Sequence, residues 1–417
     1  MEKIRIEGNH KLTGTIRISG AKNSAVALVP ASLLAEDTVT IDNIPNISDI
    51  NALNEILEYL GATVKRENET MEINPSTVKN IAIPEEHAKK LRASYYFMGA
   101  LLGKYKKAEM YFPGGCSIGA RPIDLHLKGF EALGATIKTE GDKYIIEAEE
   151  LIGTNIYLDF ASVGATINIM LAATKATGTT IIENAAKEPE IVNVATFLNQ
   201  MGAKITGAGT SEIKIVGVKK LHGCFTEVIP DRIEAGTYII AGALIGDNLK
   251  IENIIPEHID ALLLKLKEMK ANMKIEKDYI IISQTEKLKK VNVQTQVFPG
   301  FPTDLQQPLT TLLTQCTGTS ILEENIYENR FQNVPYLDKM GANIKVDEKL
   351  LIINGPTKLI GKEVEATDLR AGACLVLAGL KAEGITKISN IKYILRGYEN
   401  IIQKLTNVGA HISIIEE

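Results

Sequence analysis

Cysteine and arginine are both scarce in this chain, and long apolar runs are missing. Four cysteines, Cys116, Cys224, Cys316 and Cys374, are scattered through 417 residues with no C-x-x-C pair and no histidine cluster beside them. That spacing argues against a disulfide framework and against structural zinc, and leaves a chemical role open for a thiol. No stretch approaches the roughly 20 uncharged apolar residues of a membrane helix. The opening MEKIRIEGNHKLTG alternates polar residues with isoleucine and lacks the apolar core of a signal peptide. A soluble, cytoplasmic protein without membrane insertion is therefore expected. The formal charge of −5 argues against a general nucleic-acid binder, since phosphate backbones reward clustered Lys and Arg.

Only nine of the 46 basic residues are arginine. A chain that uses Lys for plain positive charge keeps Arg where the planar five-donor fork is needed, as in a bidentate grip on phosphate or carboxylate. Arg92, Arg121, Arg232, Arg330, Arg370 and Arg396 fall at or near predicted helix starts, or beside a Gly, Pro, Asp or Glu. For any one of them a surface ion pair is the alternative. A length of 417 residues implies two or more domains, and 45% hydrophobic with 23% charged residues is an ordinary globular balance.

What the chain does contain is a repeat. An apolar helix end, a Leu/Met/Val-Gly-Ala phrase and an alternating strand recur as LGATV (60–64), LGATI (133–137), MGAKI (201–205), MKANM (269–273), MGANI (340–344) and VGAHI (408–412). The central alanines are 68 to 73 residues apart, and only the fourth copy replaces the glycine, with Lys270. Helix-period segments at 50–60, 122–133, 189–201 and 397–408 precede the phrase, so the glycine reads as a left-handed helix stop before a strand. Each unit carries a second, small-residue helix (94–104, 165–174, 235–245, 371–380), a pattern of close, buried packing. A βαβαββ-like unit of about 70 residues cannot bury its own sheet face, so six units predict two domains of three. The boundary is placed near 228–231, with a second crossing near Gly20 after a first strand over 3–18.

Three segments carry candidate chemistry. PGGCSIGARPIDL (113–125) has three glycines around Cys116, then Arg121 and Pro122 at a predicted helix start. That setting favours a reactive thiol over a small apolar residue. SGAKNSA (19–25) sets Lys22 and Asn23 at another helix start, either as an anion site or as a cap with a solvated lysine. GFPTDLQQ (300–307) places Asp304 after Pro302, readable as an N-capping carboxylate or as a general base.

Together GAKNSA, RASYYFMGALLG, PGGCSIGARPIDLH, SVGATINIMLAA, PDRIEAGTYIIAGA, GFPTDLQQP, YENRF, DLRAGACLVLAG and RGYENI resemble the UDP-N-acetylglucosamine 1-carboxyvinyltransferase family of the EPSP synthase superfamily, over essentially the whole chain and in the same order. The resemblance implies an α/β (α+β) fold of two inside-out α/β barrel domains, each of three βαβαββ units, covering 21–229 and 1–20 plus 230–417. It implies transfer of the enolpyruvyl group of phosphoenolpyruvate to the 3′-hydroxyl of UDP-N-acetylglucosamine, without metal or cofactor. Carried over residue by residue, it assigns Lys22, Asn23, Arg121, Arg370 and Arg396 to phosphoenolpyruvate. Cys116 becomes the loop thiol that donates a proton and that fosfomycin alkylates, and Asp304 the carboxylate facing the sugar hydroxyl. Arg92, Arg121, Pro122, Ile123, Asp124, Leu125, Phe160, Ala161, Ser162, Val163, Asp304 and Ile326 fall to the UDP-sugar, and Arg232 and Arg330 look like cleft-side arginines. One departure is local: the family often places a histidine, an apolar residue and an acid before the loop arginine, where this chain has Tyr393, Ile394 and Leu395. The sister enzyme that makes 5-enolpyruvylshikimate 3-phosphate lacks the loop cysteine, and a non-catalytic sensor should have lost Cys116 or Asp304. An RNA-end cyclase would need a nucleotide-accepting histidine and a basic face.

Overall fold

The computed structural model describes residues 2–114 and 123–417. The repeat phrase marks the same event six times. Helix Ser48–Leu60 buries Ile50, Leu53, Ile56, Leu57 and Leu60 on one stripe and stops at Gly61. Gly61, Gly134, Gly202, Gly341 and Gly409 all have φ between 98° and 103°. Only glycine occupies this left-handed region without steric cost. The fourth copy adopts the same turn without glycine: Lys270 has φ of 63°.

After the stop, strand Thr63–Glu67 runs antiparallel to Thr70–Asn74, which runs antiparallel to Val39–Asp42, which pairs in parallel with Phe225–Glu227. Among the described residues five sheets share this order of one parallel and two antiparallel pairings. The sixth, built on Lys107–Tyr111, has three strands, and the parallel bridge Ile83–Met110 takes the place of the fourth.

The second helix of each repeat lies inside. Every residue from Gly164 to Ala173 is buried in helix Val163–Ala173, as is every residue after Arg232 in Arg232–Ile245. A helix apolar all round must sit in the interior. Within residues 20–229, helix Tyr96–Tyr105 packs on both Lys22–Ala31 and Val163–Ala173; within residues 230–417, Arg232–Ile245, Gln306–Leu313 and Leu369–Lys381 pack on one another. Small residues permit this, since a Cβ on Gly99 would stand 2.3 Å from Asn168 Oδ1. Helices within and sheets without make the inside-out α/β architecture. Each buried Leu or Ile side chain contributes about 1.5–3 kcal/mol.

The described residues divide into two compact units, 20–114 with 123–229 and 2–19 with 230–417, each with its own apolar core. The expected single strand over 3–18 is two strands, Glu2–Glu7 and Thr15–Arg17. Asn9 at φ of 65° and Gly14 at 110° turn the chain between them. They must separate because they serve different sheets: the first pairs with Ile385–Ser389 and His411–Glu416, the second with Leu249–Glu252. No described helix is long and apolar enough to cross a membrane.

Candidate active site

Most candidate residues gather at the N-terminal ends of the buried helices. Lys22 opens Lys22–Ala31, Arg92 opens the 3-10 turn leading into Tyr96–Tyr105, and Ser162 caps Val163–Ala173. In the other unit Arg232 opens Arg232–Ile245, Asp304 lies in the turn Thr303–Leu305 before Gln306–Leu313, and Arg370 is in the first turn of Leu369–Lys381. First-turn N–H groups and the positive end of the helix dipole make such ends favourable for anions, and at three of them a side chain, Ser162, Asp231 or Asp368, already accepts from the first turn.

Asp304 is the focus of the unit formed by residues 2–19 and 230–417. Its Oδ1 accepts from Arg330 Nη2 at 2.7 Å and its Oδ2 from Arg370 Nη2 at 3.4 Å. Both guanidinium side chains are nearly buried, at 3% and 6% exposure, whereas the carboxylate is 29% exposed. The carboxylate is thus held by two buried guanidinia while itself partly exposed. It is not the cap of the following helix: the cap positions are Pro302 and Leu305.

The arginines are positioned in turn. Arg370 Nη1 donates to Tyr398 Oη at 3.1 Å, and that hydroxyl is 2.9 Å from Thr237 Oγ1. Burial opposes the Arg370 charge, but Tyr398, Asp304 and Asp231 outweigh it and push the guanidinium above its ordinary value. Asp368 caps the Arg370 helix through the N–H groups of Arg370 and Ala371, and Gln307 Nε2 donates to its Oδ2 at 3.3 Å and to Arg330 O at 2.9 Å. Ile326 lies one carboxylate away: Glu324 accepts from Ile326 N at 2.8 Å and from Thr303 Oγ1 at 2.9 Å. Arg232 lies over the Phe298 ring at 5.4 Å, behind its Asp231 cap, and Arg396 follows the short helix Lys392–Leu395.

In residues 20–229, Lys22 Nζ pairs with buried Asp49 at 2.8 Å, with Asn23 half-buried beside it. Arg92 reaches over the Tyr95 ring at 6.0 Å, and Tyr95 meets His126 edge to face at 4.7 Å. Gly99 N donates to Asn168 Oδ1 at 2.8 Å, so the Asn168 amide nitrogen faces Tyr95 O and His126 Nδ1, each at 2.9 Å. His126 Nδ1 therefore accepts, and its proton sits on Nε2. Burial, with the Arg92 charge adding, lowers the imidazole to about 3 and keeps it neutral. A Cβ on Gly164 would stand 2.9 Å from the His126 ring, which ties this cluster to the Ser162–Val163 end of the buried helix. Ser162 accepts from Ala165 N at 3.2 Å. Phe160 is exposed, Ala161 half-buried, Ile123 buried, and Asp124 and Leu125 open helix Asp124–Ala132.

Cys116, Arg121 and Pro122 lie outside the described residues. Sequence reasoning passed over His126, Asn168, Asp49, Gln307, Asp368 and Tyr398. The usable signal was a polar residue inside an otherwise apolar run, as with Asn168 in SVGATINIMLAA.

Comparison with known proteins gives a consistent result. The family profile for EPSP synthase (3-phosphoshikimate 1-carboxyvinyltransferase) matches residues 6–405. UDP-N-acetylglucosamine 1-carboxyvinyltransferase 1 of Streptococcus agalactiae is 54% identical over 419 residues, covering 100% of both chains. UDP-N-acetylglucosamine 1-carboxyvinyltransferase 2 of Bacillus subtilis is 54% identical over 413 residues, 99% of this chain and 96% of that one. Among solved structures, the enolpyruvyl transferase NikO from Streptomyces tendae superposes with a TM-score of 0.90 at 27% identity, over 99% of this chain and 98% of that one. EPSP synthase from Acinetobacter baumannii shares the fold, with a TM-score of 0.78 at 19% identity over the full length of both. The chain belongs to the EPSP synthase family, in its UDP-N-acetylglucosamine 1-carboxyvinyltransferase branch.

Proposed function

We propose that the chain transfers the enolpyruvyl group of phosphoenolpyruvate to the 3′-hydroxyl of UDP-N-acetylglucosamine, with release of phosphate, as the first committed step of peptidoglycan synthesis. The observation that carries this reading is Asp304, a partly exposed carboxylate held by two buried guanidinia, in a chain more than half identical to transferases of that name over their full length.

The reaction needs cations that hold a trianionic ligand, an acid for C3 of the enolpyruvyl group and a base for the sugar hydroxyl. In this assignment Lys22, Asn23, Arg121, Arg370 and Arg396 bind phosphoenolpyruvate. Cys116 protonates C3, which makes C2 electrophilic. Asp304 takes the proton of the sugar hydroxyl as its oxygen adds to C2, and loss of a C3 proton and phosphate then restores the vinyl ether. Arg92, Ile123, Asp124, Leu125, the Phe160 to Val163 segment and Ile326 hold the UDP-sugar.

A second reading, transfer to shikimate 3-phosphate, is favoured by the description of the matching family profile. The identities of 54% against 19% favour the UDP-sugar. Phosphate release from phosphoenolpyruvate, measured with each acceptor and with and without fosfomycin, separates the two. Release is expected only with UDP-N-acetylglucosamine, and fosfomycin should abolish it. Cys116→Asp should keep turnover and lose drug sensitivity; a Cys116→Asp protein still alkylated by fosfomycin refutes the assignment of the thiol.

A further inference from the structure

Glu7, His10 and His411 form a cluster in which one ligand atom from each side chain lies within 4.8 Å of the other two. None of the three has a place in the reaction above. Glu7 and His411 are directly opposite on the antiparallel strands Glu2–Glu7 and His411–Glu416. His10 returns to the same spot because Asn9, at φ of 65°, reverses the chain. That reversal is anchored: Gly8 N donates to Gly384 O at 3.0 Å, Asn9 N donates to Leu380 O at 2.8 Å, and a Cβ on Gly8 would stand 2.1 Å from Ala382 O. The His10 ring stacks on the His411 ring with centroids 3.6 Å apart and planes 20° from parallel.

The carboxylate is already oriented for sharing. Glu7 Oε2 lies 3.5 Å from Arg5 Nη2, while Oε1 faces His10 Nε2 at 3.8 Å. Arg5 can therefore hold one oxygen while the other turns to a cation, as groups behind a metal ligand commonly do. Two stacked imidazoles repel when both are protonated, and a divalent cation that takes a neutral lone pair from each removes that conflict.

We propose that Glu7, His10 and His411 form a surface site for a borderline divalent transition metal, of which Zn2+ is the representative. Two imidazoles and a carboxylate suit zinc, nickel or copper and not the oxygen-seeking magnesium or calcium. Zinc–ligand bonds of about 2.0–2.1 Å require the donor atoms to draw in to about 3.3 Å of one another. The exposed Glu7 and His411 reach this by side-chain rotation, with the two rings opening from their stack about the ion. Water fills the remaining position. Bound metal would tie the Glu2–Glu7 strand to the His411–Glu416 strand.

The test is calorimetric titration of the tag-free, chelator-treated full-length chain with ZnCl2, and in parallel with MgCl2. The parent should bind one equivalent of Zn2+ at this site, with no magnesium heat, and its melting temperature should rise on zinc addition. His411→Ala and His10→Ala should each weaken zinc binding at least tenfold and abolish the thermal shift. Glu7→Gln, which keeps the shape, should weaken it less. Melting without metal shows whether each variant is folded, and His411 is exposed enough for its replacement to be tolerated. Zinc binding and a thermal shift that persist unchanged in folded His411→Ala, as they would for an ion held by a cysteine thiol, overturn the proposal, as does a parent that binds no zinc.

Discussion

The two units treat charge in opposite ways. Residues 230–417 concentrate it: Asp304 lies between Arg330 and Arg370, with Asp368 and Asp231 behind them. The corresponding helix ends in the other unit pair one lysine with one aspartate and set the Arg92 charge among neutral polar groups, with His126 held uncharged by burial and by Arg92 beside Asn168 and Tyr95. An interior that holds a partly exposed carboxylate between two buried guanidinia is equipped for proton transfer. One that fixes a tautomer is equipped for recognition by shape and hydrogen bonds.

Kinetics offers the strongest way to break this comparison. Asp304→Asn should lower kcat about a hundred- to ten-thousandfold, the usual range for losing a general base, with KM for the UDP-sugar changed far less. Arg92→Met should mainly raise that KM, about ten- to a hundredfold, as expected for loss of a charge-assisted hydrogen bond. Equal losses of kcat in both variants would dissolve the division of labour.

The units should also respond oppositely to acid. His126 is lowered to about 3 by burial and by Arg92. The unfolded chain therefore takes up a proton near pH 6.5 that the folded chain refuses, and the stability of residues 20–229 falls as pH drops below that value. The loss is about 2 kcal/mol between pH 7 and 5. Glu234 is raised to about 6, because burial outweighs its Lys404 partner and Asp231 adds repulsion. The folded state then binds the extra proton, so this group's contribution is present below the unfolded carboxyl range and is lost as pH rises through 6. Over the same interval it adds about 1 kcal/mol to the other unit on acidification. Hydrogen exchange at pH 7 and 5, resolved by unit, should show residues 20–229 loosening and residues 230–417 holding or tightening. His126→Gln should flatten the first response, and parallel loosening of both units would contradict the assignment.

The smallest effect concerns the repeat. Lys270 adopts the left-handed turn that five glycines adopt in the other copies, so Lys270→Gly should stabilise the protein by about 1 kcal/mol in thermal or denaturant unfolding. No gain would mean that the lysine side chain repays the strain locally.

Lys270 also shows how the sequence encodes this fold. The six-fold period was legible because helix stop and strand start recur as a phrase, and the phrase survives replacement of its glycine. Lys22, Arg92, Arg370 and Asp304 were legible because helix starts and punctuating residues are local signals. The partners that set their chemistry were not, since Asp49, His126, Asn168 and Tyr398 are remote in the chain and owe their roles to burial and tautomer. The capping reading of Asp304 failed for the same reason: Arg330 and Arg370 reach it from other segments.

The strand Glu2–Glu7 lies in the interior of its sheet, between Ile385–Ser389 and His411–Glu416. On the ribosome this imposes an order of events. Residues 20–229 hold all the partners of their own sheets and can fold as soon as they emerge. Ile4 and Ile6 are translated long before Ile388 and Ile414 and must wait for them before their strand is flanked on both sides. At roughly 5–20 residues per second the wait lasts tens of seconds. During it the nascent chain carries an unpaired, isoleucine-bearing segment tethered to a finished unit, a natural client for a chaperone that shields extended apolar strands.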